Sequence, residues 1–390
     1  MKLRIAHSLT RLAGGPAYRT DIVIRHLDPE RYEVRLYYGS TSAWDPDSHD
    51  EIVRTAPYRC VHIPAMQREL RPARDAVALA AFAREFRAFS PQIVHTHESK
   101  DAVLARVAAR ACGVPIVLRH YHGFIYGKGY FGRRTNLLTP VFLGIERALN
   151  RTSDAILNIS EGLNRQAVEE YHLAPAAKAF VLNNAFDLEE YLDQPRDPQL
   201  REAWGVPRRS RLFVMVANFQ TPKNHAGGLR AFALFARRHA DPPAHLALAG
   251  QGPLEVEIRR LAGELGIADR VHLLGHRKDI PRVLSGCDVF LMSSTSEGTP
   301  GALIEALAAG VPAACTRVGG IADITAGEER AALAPPWEDA QLCDAMERAV
   351  FSPPDMDAVS RAIAREYGAP HVARRLMDFY ENLWAARTDR

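Results

Sequence analysis

A chain of 390 residues, 47% hydrophobic and 24% charged, has the composition of a soluble globular protein and the length for two domains rather than one core. A formal net charge of +3 gives no electrostatic case for nucleic acid or an acidic polymer as partner. The five cysteines (Cys60, Cys112, Cys287, Cys315 and Cys343) are scattered without a C-x-x-C, the pattern of reduced thiols. No apolar run is long enough to span a bilayer, and Met1–Ile5 leads directly into a strand with no room for a signal peptide. The expectation is a cytoplasmic protein that touches, at most, the inner face of a membrane.

In the first half, short apolar runs predict strands at Leu3–His7, Val34–Tyr38, Ile93–Thr96, Ile116–Leu118 and Ala155–Ile159. Helical periodicity falls at Ala17–His26, Ala73–Phe89, Ala102–Ala111, Pro140–Leu149 and Gly162–Glu170. Gly14-Gly15-Pro16 sits in the first strand–helix loop, where glycines let backbone N–H groups approach a phosphate. Five histidines (His7, His95, His97, His120 and His122) lie near strand ends. Imidazole suits zinc, but the sequence shows no carboxylate or thiolate companion, so the preferred reading is a polar wall with one histidine on substrate and no metal. Between Arg119 and Arg151, basic residues including Lys128, Arg133 and Arg134 interleave with Phe124, Tyr126 and Tyr130. That segment reads either as a solvated loop or as a surface for an anionic or lipid-linked acceptor at a membrane.

Asn183–Ser210 is rich in Pro, Asp and Arg and reads as the connection, with residues 191–210 as the linker. Alternation then resumes, with strands at Leu212–Ala217, His245–Ala249, Val271–Leu274, Val289–Met292, Pro312–Cys315 and Ala331–Leu333. Strand–helix alternation in both halves predicts two doubly wound, parallel α/β domains facing a cleft, at 1–190 and 211–369. The last helix, about 370–390, is expected to pack back on the first domain.

Several motifs of the second half carry chemistry. Lys223, in Ala217-Asn218-Phe219-Gln220-Thr221-Pro222-Lys223, is expected to open a helix and neutralise a diphosphate. Gly250-Gln251-Gly252-Pro253 is a tight turn without the third glycine of a dinucleotide fingerprint. Gly275-His276-Arg277 follows a strand and offers backbone to a nucleobase edge. In Glu297-Gly298-Thr299-Pro300-Gly301, Thr299 reads as an N-cap and Pro300 as the first helical residue. The N–H groups of such a start suit a diphosphate. Glu305, one to two turns in, suits a ribose diol, and Glu297 a second polyhydroxyl group. Diphosphate, ribose and sugar together describe a nucleotide-sugar. Asp45-Pro46-Asp47 and Asp355-Met356-Asp357 match a metal-holding D-x-D only superficially and read as turn or cap aspartates.

With these motifs assembled, the chain resembles the family 4 retaining glycosyltransferases of GT-B fold, most strongly from Leu212 to Asp323. The elements that carry the resemblance are Glu297–Glu305 with seven residues between, Asp288-Val289-Phe290-Leu291 before it and Gly310-Val311-Pro312 after it. Val318-Gly319-Gly320, Asn184-Ala185-Phe186-Asp187, His95-Thr96-His97-Glu98-Ser99-Lys100 and His120-Tyr121-His122-Gly123-Phe124 also fit. The last two look like members that build bacterial surface polysaccharides. The resemblance implies that Glu305 binds the ribose and that Glu297, with the Gly298–Gly301 backbone, holds the donor sugar. It puts Lys223, helped by Gly15, on the diphosphate, and His122 near the anomeric carbon. Asn218, His276 and Arg277 complete the donor side; His97, Lys100, Tyr126, Lys128 and Arg133 are the acceptor-side candidates. The family usually has an arginine where this chain has Asn218, and His225, Arg277 and Arg282 are the candidates to compensate.

The implied reaction is retaining, metal-independent transfer from a nucleotide diphosphate sugar to a hydroxyl of a glycan, lipid-linked or small-molecule acceptor, with no cofactor. The alternatives are a nucleotide-sugar epimerase or hydrolase, which consumes donor without acceptor, and a non-catalytic nucleotide-binding protein of the same fold.

Overall fold

The computed structural model describes residues 2–41, 50–124, 139–192, 194–195 and 197–388. The chain divides into two compact units, Met1–Phe186 with Ala369–Arg390, and Asp187–Gly368.

The first unit holds seven strands: β1 (Leu3–Leu9), β2 (Tyr32–Tyr38), β3 (Arg59–His62), β4 (Ile93–Thr96), β5 (Ile116–Tyr121), β6 (Ala155–Asn158) and β7 (Ala179–Val181). They form one parallel sheet in the order β3-β2-β1-β4-β5-β6-β7. The second unit holds β8 (Arg211–Val216), β9 (Ala244–Ala249), β10 (Val271–Gly275), β11 (Val289–Met292), β12 (Ala313–Thr316) and β13 (Ala332–Ala334). Its parallel order is β10-β9-β8-β11-β12-β13. Both are doubly wound orders that reverse beside their first strand, β1/β4 and β8/β11, and the loops leaving such a pair form a crevice at the carboxyl end of the sheet.

The central strands were legible because helices cover both faces, which demands unbroken apolar runs. Leu212, Phe213, Val214 and Met215 of β8 are all buried. Strands β3 and β7 were missed: they are the two edges of the first sheet and only partly buried, β3 has no apolar run, and β7 is only three residues long. Helix Ala369–Thr388 buries Val372, Leu376 and Tyr380 against Ile5, Leu36 and Ile93 of the first unit.

The linker reading of 191–210 needs correction. Helix Pro198–Ala203 lies within it, and Leu200 is buried. Arg201 donates to Gly286 O (2.8 Å), Ser210 O (3.0 Å) and Asp288 Oδ1 (2.7 Å), so the stretch is bound into the second unit. Its polar composition conceals this because much of the attachment is made by one arginine. Among the described residues no helix is long and apolar enough to cross a membrane.

Candidate functional site

The crevice between β8 and β11 brings together two of the residues singled out in the sequence. After β8 the chain makes a 3-10 turn, Thr221–Lys223, and Asn224 then adopts a left-handed φ of 48°. Asn224 Oδ1 accepts from Gly227 N (3.2 Å), capping helix His225–Arg238, so Lys223 precedes that helix instead of opening it. A proline at position 222 favours the tight turn, and asparagine tolerates the left-handed cap. The turn is stitched to the end of β11. Asn224 Nδ2 donates to Ser293 O (3.1 Å), Ser293 Oγ to Asn224 O (2.8 Å), and Thr295 N to Pro222 O (2.8 Å).

Across this seam Lys223 Nζ donates to Glu297 Oε1 at 2.7 Å, and Ser294 Oγ donates to the same oxygen at 2.6 Å. The Glu297 side chain is 7% exposed and that of Lys223 29%. A charge-assisted pair, partly shielded and held from a third side, has a fixed geometry rather than a solvated one.

The following helix begins one residue later than predicted, at Gly301, with Pro300 extended (φ −72°, ψ 99°) in the capping position and no side-chain cap. Thr299 is therefore not the N-cap: the extended residue that precedes the first helical turn is Pro300 itself. Ile304 N is the first to bond back, to Pro300 O at 3.3 Å. The N–H groups of Gly301, Ala302 and Leu303 thus precede the intrahelical ladder and suit an anion. Glu305 lies on this helix, half-buried beside Ile304 and Ala306.

The loop before the helix rests backbone on backbone against Val318-Gly319-Gly320. Gly320 N donates to Gly298 O at 3.1 Å. A Cβ on Gly319 (φ 50°) would overlap the Glu297 carbonyl oxygen, and one on Gly320 the Gly298 carbonyl oxygen. Gly250 and Gly252 likewise give the backbone of Ala217 and Phe219 room, so that pair supports the β8 loop.

The cations proposed to compensate for exposed Asn218 are committed elsewhere. Arg277 donates to Asp279 Oδ2 (2.6 Å), and Arg282 lies 3.3 Å from Asp197. His225 is buried edge-on to Phe219, and burial, then Lys223, lowers it to about 4, so it carries no charge at neutral pH. His276 is exposed just after β10. Asp355 is a cap: its Oδ1 accepts from Ala358 N at 3.1 Å. Asp45 and Asp47 lie outside the described residues.

In the first unit the histidines converge on the β1/β4 switch point and neighbouring β5. His7 Nδ1 lies 2.9 Å from His97 Nε2, and His97 Nδ1 3.1 Å from His122 Nε2. His122 Nδ1 is 3.2 Å from Asn184 Oδ1. Tyr380 Oη lies 2.6 Å from His95 Nδ1 and 3.2 Å from His7 Nε2. Burial pushes His7 down to about 3; burial, then Arg119, takes His122 to about 4. Burial first, then neighbouring charges, holds His95, His97 and His120 well below the usual imidazole range. All five are therefore neutral at pH 7. Nearby, burial raises Asp101 to about 6, and burial with Asp101 raises Glu98 to about 8.

Both ring nitrogens of His97 are engaged, and Lys100 is paired with Asp75 at 2.5 Å, so neither offers a free group to an acceptor in this arrangement. Arg119 is structural: it donates to His97 O and His120 O (2.8 Å each) and sits 3.8 Å from buried Glu146. Tyr126, Lys128 and Arg133 lie outside the described residues. Gly15, exposed in the first turn of helix Gly14–Arg25, has open space where a Cβ would be. Sequence reasoning missed Ser294 and Tyr380, which position Glu297 and the histidines; a serine after a strand and a tyrosine in a helix carry no signal by themselves.

Residues 13–190 match the family model described as Glycosyltransferase Family 4, and residues 196–366 the model described as Glycosyl transferases group 1. The chain is 27% identical over 322 residues to the UDP-Gal:alpha-D-GlcNAc-diphosphoundecaprenol alpha-1,3-galactosyltransferase of Escherichia coli, covering 82% of this chain and 80% of that protein. It is 26% identical to the 2-deoxystreptamine glucosyltransferase of Streptomyces kanamyceticus, covering 74% and 76%. Among solved structures, Anabaena Alr3699/HepE in complex with UDP matches with a TM-score of 0.78 at 17% identity, covering 98% of this chain and 100% of that one, a likeness of fold.

Proposed function

We infer that this chain, which belongs to the family 4 glycosyltransferases of GT-B fold, moves a sugar from a uridine diphosphate sugar to an acceptor hydroxyl with retention of configuration. The Lys223–Glu297 pair at the β8/β11 crevice, beside the open start of helix Gly301–Ala308, carries this reading. A diphosphate takes the Lys223 ammonium and the helix N–H groups, Glu305 takes the ribose hydroxyls, and Glu297 the donor sugar. UDP in the structural neighbour and UDP-Gal in the E. coli relative support the base.

The Glu297 carboxylate is bound to Lys223 and Ser294, which suits a group that holds the donor more than a free nucleophile, and the reading is front-face displacement through an oxocarbenium-like state. The leaving diphosphate oxygen takes the acceptor proton. The protein supplies orientation and fixed charge where the leaving group becomes more negative. We propose that the diphosphate is held without a divalent ion, its charge met by the Lys223 ammonium and the N–H groups at the start of helix Gly301–Ala308. The relatives' names span a diphosphoundecaprenol-linked acceptor and a small aminocyclitol, and we favour the former class, acting at a membrane face.

The test is to incubate the protein with a panel of UDP-sugars, with and without a lipid-diphosphate-linked sugar. Donor consumption only with acceptor, giving a product whose anomeric coupling matches the donor, is the expected result. Consumption without acceptor would move the reading to an epimerase or hydrolase.

A further inference from the structure

We propose that His97, His120 and His122, all in the first unit, form a binding site for a single zinc-class divalent cation.

The geometry is that of a ligand set. One nitrogen from each ring lies within 4.8 Å of the others. His97 Nδ1 and His122 Nε2 face each other at 3.1 Å. Two zinc–nitrogen bonds of about 2.0–2.1 Å at a tetrahedral angle put their nitrogens roughly 3.3 Å apart, so this pair is already spaced for one ion.

The third ring supplies the decisive observation. His120 is 5% exposed, and neither of its ring nitrogens makes a hydrogen bond of normal geometry. Burying such a group unpaired is costly. His95 Nε2 is also buried without a partner. His95, His97, His120 and His122 line one small cavity of about 10 Å³, roughly the room for a single water or ion.

The outer contacts match what metal-bound histidines need, a partner for the second ring N–H. With the inner nitrogens turned to the ion, His122 Nδ1–H donates to Asn184 Oδ1 (3.2 Å) and His97 Nε2–H to His7 Nδ1 (2.9 Å). Arg119 opposes a cation here; Asp101, which accepts from His97 N at 3.2 Å, offsets part of that charge. An all-imidazole set selects zinc, copper or nickel over magnesium or calcium.

The experiment strips the full chain with a strong chelator, returns zinc, removes excess by gel filtration and counts bound metal; cobalt(II) titration then reports geometry by its visible d–d bands. One zinc per chain and bands of tetrahedral intensity are expected. His120→Ala should lose both, and Asn184→Ala, which keeps all three ligands, should weaken binding about 10–100-fold. Circular dichroism checks folding; should His120→Ala fail to fold, Asn184→Ala carries the test. Wild-type protein that retains no zinc and shows no cobalt bands would overturn the site and leave a water in the cavity, as would unchanged binding by His120→Ala. The readout is metal content, so it stands whatever the nucleotide experiments give.

Discussion

Lys223 Nζ and Glu297 Oε1, 74 residues apart in sequence, meet at 2.7 Å where the second sheet reverses its strand order. Ser294 fixes the same carboxylate oxygen. The acid is therefore held by the protein's own side chains, and on the proposed reading a bound diphosphate draws the ammonium partly away from it.

Lys223→Ala should lower turnover by at least about tenfold, since removing one donor to a developing charge costs about 2.7–4 kcal/mol. Because the two side chains touch, Lys223→Ala/Glu297→Gln should lose less than the sum of the single losses, measured as initial rates in a double-mutant cycle. Strict additivity would mean the pair does not act together.

Glu305→Ala is expected to act on binding. It removes hydrogen bonds to a ribose, worth about 1.5–3 kcal/mol for a charged acceptor, and should raise the nucleotide dissociation constant about tenfold or more by calorimetry. An unchanged constant would remove Glu305 from the site.

Gly319→Ala should destabilise the second unit by more than about 1 kcal/mol in urea and reduce nucleotide binding with it. The new Cβ meets the Glu297 carbonyl oxygen at a left-handed φ of 50°. Gly263→Ala is the control: it lies in helix Glu255–Glu264 with open space around a Cβ and should stabilise by about 0.5 kcal/mol.

Stability should fall on acidification. His7 and His122 keep folded values of about 3 and 4 against an ordinary 6.5, so the unfolded chain binds more protons below pH 6.5. Their stabilisation is complete above pH 6.5 and is lost as pH falls toward 4 and 3. Asp101 and Glu98, raised to about 6 and 8, act oppositely, losing stabilisation as pH rises through those values. Five neutral histidines outweigh two carboxyls below pH 6, so urea unfolding should weaken by at least about 1.4 kcal/mol per unit between pH 6 and 5. A flat profile there would contradict the neutral cluster.

Magnesium or manganese added to metal-free, chelator-treated assay buffer should change turnover by less than about twofold if, as proposed, Lys223 and the helix N–H groups meet the leaving group's charge. Turnover that depends on either ion would refute the metal-free diphosphate.

The parts of this protein legible in its sequence are those in which one residue type has one physical use. Buried parallel strands such as Val289–Met292 demand an apolar run, and Glu297 and Glu305 stand out because a helix start lies between them. Edge strands β3 and β7 escaped because exposure on one side removes that demand. The helix start was misplaced by one residue because proline is usual at the first helical position, whereas Pro300 here stands at the cap. The histidines were read as a cleft wall, yet parallel strands carry them into one buried cluster whose outer bonds go to Asn184 and Tyr380. Pairing across a sheet is set by topology, which periodicity does not report. Arg277 and Arg282 show the same limit: a basic residue near a site looks available until its aspartate partner is known.

The most direct test of the central claim is a thermal shift of the wild-type chain with uridine, guanosine, adenosine and thymidine diphosphates in the presence of EDTA. Ligand at about a hundred times its dissociation constant adds ~2.7 kcal/mol, which is about 5 °C or more for a unit of this size. The account predicts that shift with uridine diphosphate and its loss in Lys223→Ala. No shift with any of the four would contradict a nucleotide site at Lys223, Glu297 and Glu305.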